Sequence, residues 1–123
     1  MFNKIHSKII KFIEGDEGQI ITNDHHIEIW KTQFGMKSKY KNIVFDEINT
    51  ILAEQCYPFK ISLIFYNKNN KELGYINEDM EGWKDFLSII PEKFNDFNFE
   101  TFDKIEHTYE QSFEVWQKKT LIG

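Results

Sequence analysis

The chain has 123 residues, 41% of them hydrophobic, enough to bury one core without disulfide or metal staples and too apolar for general disorder. Its net charge is −5, and all fifteen basic residues are lysine, so the forked guanidinium best suited to phosphate recognition is absent. Cys56 is the only cysteine, which rules out an internal disulfide and fits a reducing cytoplasm.

Lysines break every apolar run of "MFNKIHSKIIKFIEG", so neither a signal-peptide core nor a bilayer-spanning stretch is expected, and the chain reads as cytoplasmic. The first two-thirds reads as short strands. "SKIIKFIE" (7–14) is β-branched and apolar and ends at the turn "GDEG". "QIIT" (19–22) follows, then "NDHH", then "IEIWKTQF" (27–34), where Ile27 and Ile29 alternate with Glu28 and Trp30. "GMKSK" carries the Gly and Ser of a loop, and "YKNIVF" (40–45) and "INTILAEQ" (48–55) read as the next two strands. "FKISLIFY" (59–66) alternates cleanly, "NKNN" supplies turn chemistry, and "KELGYIN" (71–77) returns as the second arm of a hairpin.

At Asn77 the period changes. Asn77 or Asp79 offers an N-cap, acids fill the first turn, and Trp83, Phe86, Leu87 and Ile90 fall at helical spacing, with Pro91 marking the stop. A second helix is expected from about Glu100 to Lys119, striped by Phe102, Ile105, Tyr109, Phe113 and Trp116. The order predicts an α+β fold: about seven antiparallel strands in a small barrel or two packed sheets, capped by one helix, with an extra C-terminal helix. It is read as one domain over 1–123, with the capped barrel in 7–92 and the helical extension in 93–123.

The run "FKISLIFYNKNNKELGYINEDMEGWKDFLSIIPEKF", after the earlier strands, resembles the end of the small bacterial pleckstrin-homology-like (PH-like) domains. The resemblance implies a barrel with one end plugged by the helix. It also directs attention to lipid binding, because PH domains that bind phosphoinositides carry basic residues around their first hairpin loop. The matching loop here is "EGDEGQ", with three acids and no base, so lipid headgroups are not expected as ligands.

Candidate chemistry is sparse. In an extended chain Asp24, His26 and Glu28 would share one side, a spacing at which a strand can offer paired metal ligands, with His6, His107 and Cys56 as further donors. A metal-dependent hydrolase on Asp24, His26 and Glu28 is therefore the enzyme alternative to a simple polar turn. Cys56 has no cationic neighbourhood in sequence to activate it, the serines stand in no nucleophile elbow, and the glycines are too scattered for a phosphate loop. No enzyme activity and no cofactor are expected.

Charge and aromatic content point to an interaction role instead. Residues 1–77 are net +1 and residues 78–123 net −6, and the chain holds twelve Phe, five Tyr and three Trp. Phe94, Phe97, Phe99 and Trp116, rimmed by acids including Glu106 and Glu110, are the candidate protein-binding residues. The expected function is a non-catalytic domain that binds a protein, in one form an immunity (antidote-type) protein neutralising a basic toxin. The alternative is a regulatory or oligomerising module, with a homo-oligomer in view. Neither nucleic acid nor a membrane is expected as partner, since an acidic half repels both.

Overall fold

A computed structural model describes residues 18–56, 60–105 and 111–119. The expected strand 7–14 lies outside them, as do Glu106, His107, Tyr109 and Glu110. The described elements are β1 (Gln19–Thr22), β2 (His26–Gln33), β3 (Met36–Val44), a 3-10 turn (Phe45–Glu47), β4 (Thr50–Cys56), β5 (Lys60–Tyr66), β6 (Glu72–Asn77), α1 (Trp83–Lys93), α2 (Phe99–Asp103) and β7 (Gln111–Gln117). They form an α+β fold with two antiparallel sheets, one ordered β1-β2-β3 and the other β6-β5-β4-β7.

Alternation decides which side of each strand is buried. Ile27 and Ile29 of β2, Ile51 and Ala53 of β4, Ile61, Leu63 and Phe65 of β5, and Ile76 of β6 enter one shared core. Trp83, Phe86 and Ile90 of α1 join them, at the spacing of the sequence stripe. Each fully buried large side chain contributes about 1.5–3 kcal/mol relative to exposure. The β5–β6 hairpin forms as its sequence requires. Asn67 Oδ1 accepts from the N–H groups of Asn69 (2.9 Å) and Lys71 (3.0 Å), and Asn70 takes a positive φ of 61°.

Four expectations are corrected. The segment "GMKSK" is not a loop: after a two-residue turn at Phe34 and Gly35, β3 begins at Met36 and pairs back along β2, with Ser38 opposite Lys31. Cross-strand pairing there overrides the weak strand preference of Lys and Ser. Secondly, α1 starts after Gly82 and runs through Pro91 to Lys93. Asn77 instead opens a turn, its Oδ1 accepting from the N–H of Asp79 at 3.0 Å. Pro91 is tolerated because the buried neighbours Ile90 and Phe94 hold the last turn, which Phe94 N–H closes on Ile90 O at 2.7 Å.

The third correction concerns the helix expected over 100–119. Only α2 is helical there, and Gln111–Gln117 is instead the strand β7, added antiparallel to β4 with Gln55 opposite Gln111 and Ala53 opposite Phe113. The same letters that read as a helical stripe also read "SFEVW", aromatic and β-branched, and the open edge of β4 selects the strand. Lastly, no closed barrel forms among the described residues. The sheets approach where β3 passes β6, so closely that a Cβ on Gly74 would lie 2.8 Å from Ile43 Cδ1, but the strands do not pair.

Candidate functional site

The aromatic residues singled out in the C-terminal part are mostly core. Phe94 is 1% exposed and Phe97 7%, and Phe99 is half-buried against the same cluster. Phe94 meets Trp116 edge-on with centroids 5.0 Å apart, and Phe45 and Phe86 at 5.7 and 6.4 Å. Trp116 donates its indole N–H to Asn95 O at 2.8 Å. These rings pin the 94–98 turn and β7 to α1. Aromatic anchors buried in this way leave little face for a partner, so the structure brings Phe94, Phe97, Phe99 and Trp116 together as packing.

The "NDHH" stretch is the link between β1 and β2. Asn23 Oδ1 accepts from the N–H groups of His25 (2.8 Å) and His26 (2.9 Å), a side-chain-mediated turn. His26 and Glu28 do share one face of β2, with Nε2 2.9 Å from Oε2. Asp24 is exposed, and the contact it makes in this network's neighbourhood is through its carbonyl, to Lys93 Nζ at 3.1 Å. Among the described residues no group of three or more His, Cys, Asp or Glu could hold a metal ion. The Asp24, His26, Glu28 ligand set does not assemble.

Glu28 instead organises a surface network on β2. Its other oxygen accepts the indole N–H of Trp30 at 2.8 Å, and Lys39 Nζ lies 3.5 Å away. The hydrogen bond from His26, then that from Trp30 and the charge of Lys39, hold the Glu28 carboxyl below its ordinary range. A carboxyl with a depressed folded pKa adds stability above its unfolded value, near 4.3, and loses it as pH falls through the folded value. Urea unfolding of the wild type and Glu28→Gln should therefore differ at pH 7 and converge below about pH 4. A gap independent of pH would show that the carboxylate charge is not what matters at this position.

This network is the root of the most exposed element in the molecule. All seven residues from Met36 to Asn42 are exposed, whichever way their side chains alternate, so the β2–β3 hairpin projects beyond the core. Its turn places positive φ at both Phe34 (53°) and Gly35 (77°), the requirement of the mirror-image turns that match strand twist. Gly takes that conformation freely and Asn readily, whereas a phenylalanine there costs about 1–2 kcal/mol. Yet Phe34 is 61% exposed and Met36 beside it 73%. An unfavourable backbone state that holds a large apolar side chain in water has no packing reason, and such outliers cluster at functional positions.

Behind the tip stand Lys31, Lys37, Lys39 and Lys41. The span 26–44 carries these four lysines and only one acid, net +3, which leaves −8 for the rest of the chain. Lys37 and Lys39 lie over the Trp30 ring, 6.0 and 5.7 Å from its centroid, and Lys31 lies 4.2 Å from that of Tyr40. Lys37 Nζ also bonds the Gln19 side chain of β1. At the inner end, where β3 and β6 diverge, a cleft of about 120 Å3 is lined by Ile29, Lys31, Tyr40, Lys41, Glu72, Gly74, Tyr75 and Met80.

Sequence reasoning misses this element, although a signal for it is present. Four of the ten lysines in the first 77 residues fall between positions 31 and 41, interleaved with Phe34, Met36 and Tyr40. Among the described residues no helix is long and apolar enough to cross a membrane. Compared with known proteins, the chain matches no family model, no curated protein and no solved structure.

Proposed function

We propose that this chain is a non-catalytic protein-interaction domain whose recognition element is the β2–β3 hairpin. The observation that carries the reading is the tip, where Phe34 and Met36 stand exposed on a strained turn behind which four lysines gather. An apolar anchor with a charged, aromatic surround is the anatomy of an interaction hot spot. A PH-like classification of the fold belongs to the same proposal. Seven described strands and the amphipathic α1 support it, while β7 following α1 departs from a barrel plugged by a terminal helix.

Phe34→Asn separates function from folding. Asparagine accepts positive φ better than phenylalanine, so this variant should be as stable as the wild type or up to about 1 kcal/mol more stable. Used as bait in an extract of the native host, it should fail to retain a protein that wild-type bait retains. Equal retention by both baits, or a clear loss of stability in the variant, would defeat the reading.

A second reading, the antidote-type protein that neutralises a basic toxin, draws on the net −6 of residues 78–123 and the exposed Glu81, Asp85, Glu92, Glu100, Asp103 and Glu114. It rests on charge, since the aromatic anchors that it relied on are packed in the core. It requires that Glu100→Lys/Asp103→Lys abolish capture of a basic protein while Phe34→Asn leaves it intact.

A further inference from the structure

We infer that the hairpin's partner is an extended, acidic segment of another protein that adds as a strand along the outer edge of β3. The inference rests on the hairpin reading and specifies its occupant. Among the described residues β3 pairs with β2 alone, and it passes β6 without pairing. An edge strand offers a row of backbone N–H and C=O groups that a partner strand can take up, with side-chain sites supplying specificity.

The charges on this edge select among occupants. A second copy of the chain pairing antiparallel through β3 would set Lys37, Lys39 and Lys41 against lysines, which is the usual way an edge is protected from itself. A bilayer or nucleic acid is an extended polyanion, and it would lie within a Debye length, about 8 Å, of the remaining chain with its −8 charge. A single acidic strand matches the lysines without meeting the body.

The cleft between the sheets gives that strand an anchor. Tyr40 (54% exposed) and Tyr75 (41%) form its walls, buried Ile29 and Met80 line its interior, and Lys31 and Lys41 border it. Its volume of about 120 Å3 equals roughly four waters, room for one short aliphatic side chain. Glu72 on the β6 side is the one acid there and disfavours a carboxylate at that end. The recognised segment therefore carries two or three Asp or Glu residues facing Lys37 and Lys39 and one aliphatic residue entering the cleft.

The test selects ligands for the full chain from a phage-displayed library of random dodecapeptides. The expected winners are acidic with an apolar residue, and a synthesised winner should bind at least tenfold more weakly to Lys37→Glu/Lys39→Glu and to Tyr75→Ala. The winner should also slow amide hydrogen exchange of β3 between Met36 and Tyr40, the signature of an added strand. The inference is overturned if no peptide is enriched, if the winners bind the lysine variant equally, or if β3 exchange is unchanged. Binding of phosphatidylserine vesicles or of a dT20 oligonucleotide through these lysines, or concentration-dependent self-association through β3, also overturns it. If Phe34→Asn still loses its host protein while the peptide test fails, the strand-addition model falls and the hairpin reading stands; if both fail, both fall.

Discussion

Replacing Gly82 with alanine should lower the stability of this chain by about 3 kcal/mol or more, the largest effect expected of any single methyl group in the molecule. Gly82 takes φ +92°, and a Cβ built on it would sit 2.4 Å from the carbonyl oxygen of Ile20, a backbone atom that cannot rotate away. Two bonds clamp that contact. Ile20 N–H donates to Glu81 O at 2.7 Å, and Glu81 N–H donates to Gly18 O at 3.1 Å. The turn before α1 is thus laced to β1, and the added methyl must prise the first sheet from the start of the helix. Equilibrium urea unfolding gives the measure. A loss below about 1 kcal/mol would mean that this lacing is not what seats the helix.

Phe94→Ala should cost about 3–5 kcal/mol, the range for emptying a large aromatic site in a packed core. Phe94 is 1% exposed and has Phe45, Phe86 and Trp116 around it, one from each of the 3-10 turn, α1 and β7. The same substitution tests the competing view of this residue. An interface anchor removed by truncation leaves the folded state intact and weakens only binding, whereas a core residue lowers the unfolding midpoint and affects binding through the folded fraction. A midpoint shift within error of zero would return Phe94 to the surface.

The difference between what is legible in the sequence and what is not follows the range of the interactions. The β5–β6 hairpin is legible because everything that specifies it is local. Ile61, Leu63 and Phe65 alternate, and the asparagines between the strands make their own turn. The stripe of α1 is legible for the same reason. β7 is not, because its partner β4 lies more than fifty residues earlier, as the pairing of Gln55 with Gln111 illustrates. Within the segment itself, Phe113 and Trp116 satisfy a helical spacing as well as a strand can, so the local pattern does not choose between helix and strand.

The candidate site is hidden by a related ambiguity. Lysine and serine in "GMKSK" argue for a solvated loop, and only the pairing of Lys37 with Thr32 and Ser38 with Lys31 turns them into an exposed strand. Conversely, aromatic residues clustered near the C-terminus look like a contact surface until Phe94 and Phe97 are seen to be enclosed. What the sequence offers is an inventory of aromatic and charged groups. Which of them face water depends on contacts between distant segments. The paired His26 and Glu28 are the middle case: their common face is readable from strand geometry, and their neighbours Trp30 and Lys39 make them a structural network.

The proposed function turns on a protein partner meeting the hairpin and not the acidic C-terminal face. A photo-cross-linking amino acid placed at Met36, and in a parallel strain at Glu100, distinguishes the two surfaces in the native host. Both positions are exposed, so neither replacement disturbs the core. If the hairpin is the recognition element, position 36 gives a discrete covalent adduct that disappears with Phe34→Asn, and position 100 gives none. An adduct from position 100 with none from position 36 would place the partner on the acidic face and refute the hairpin.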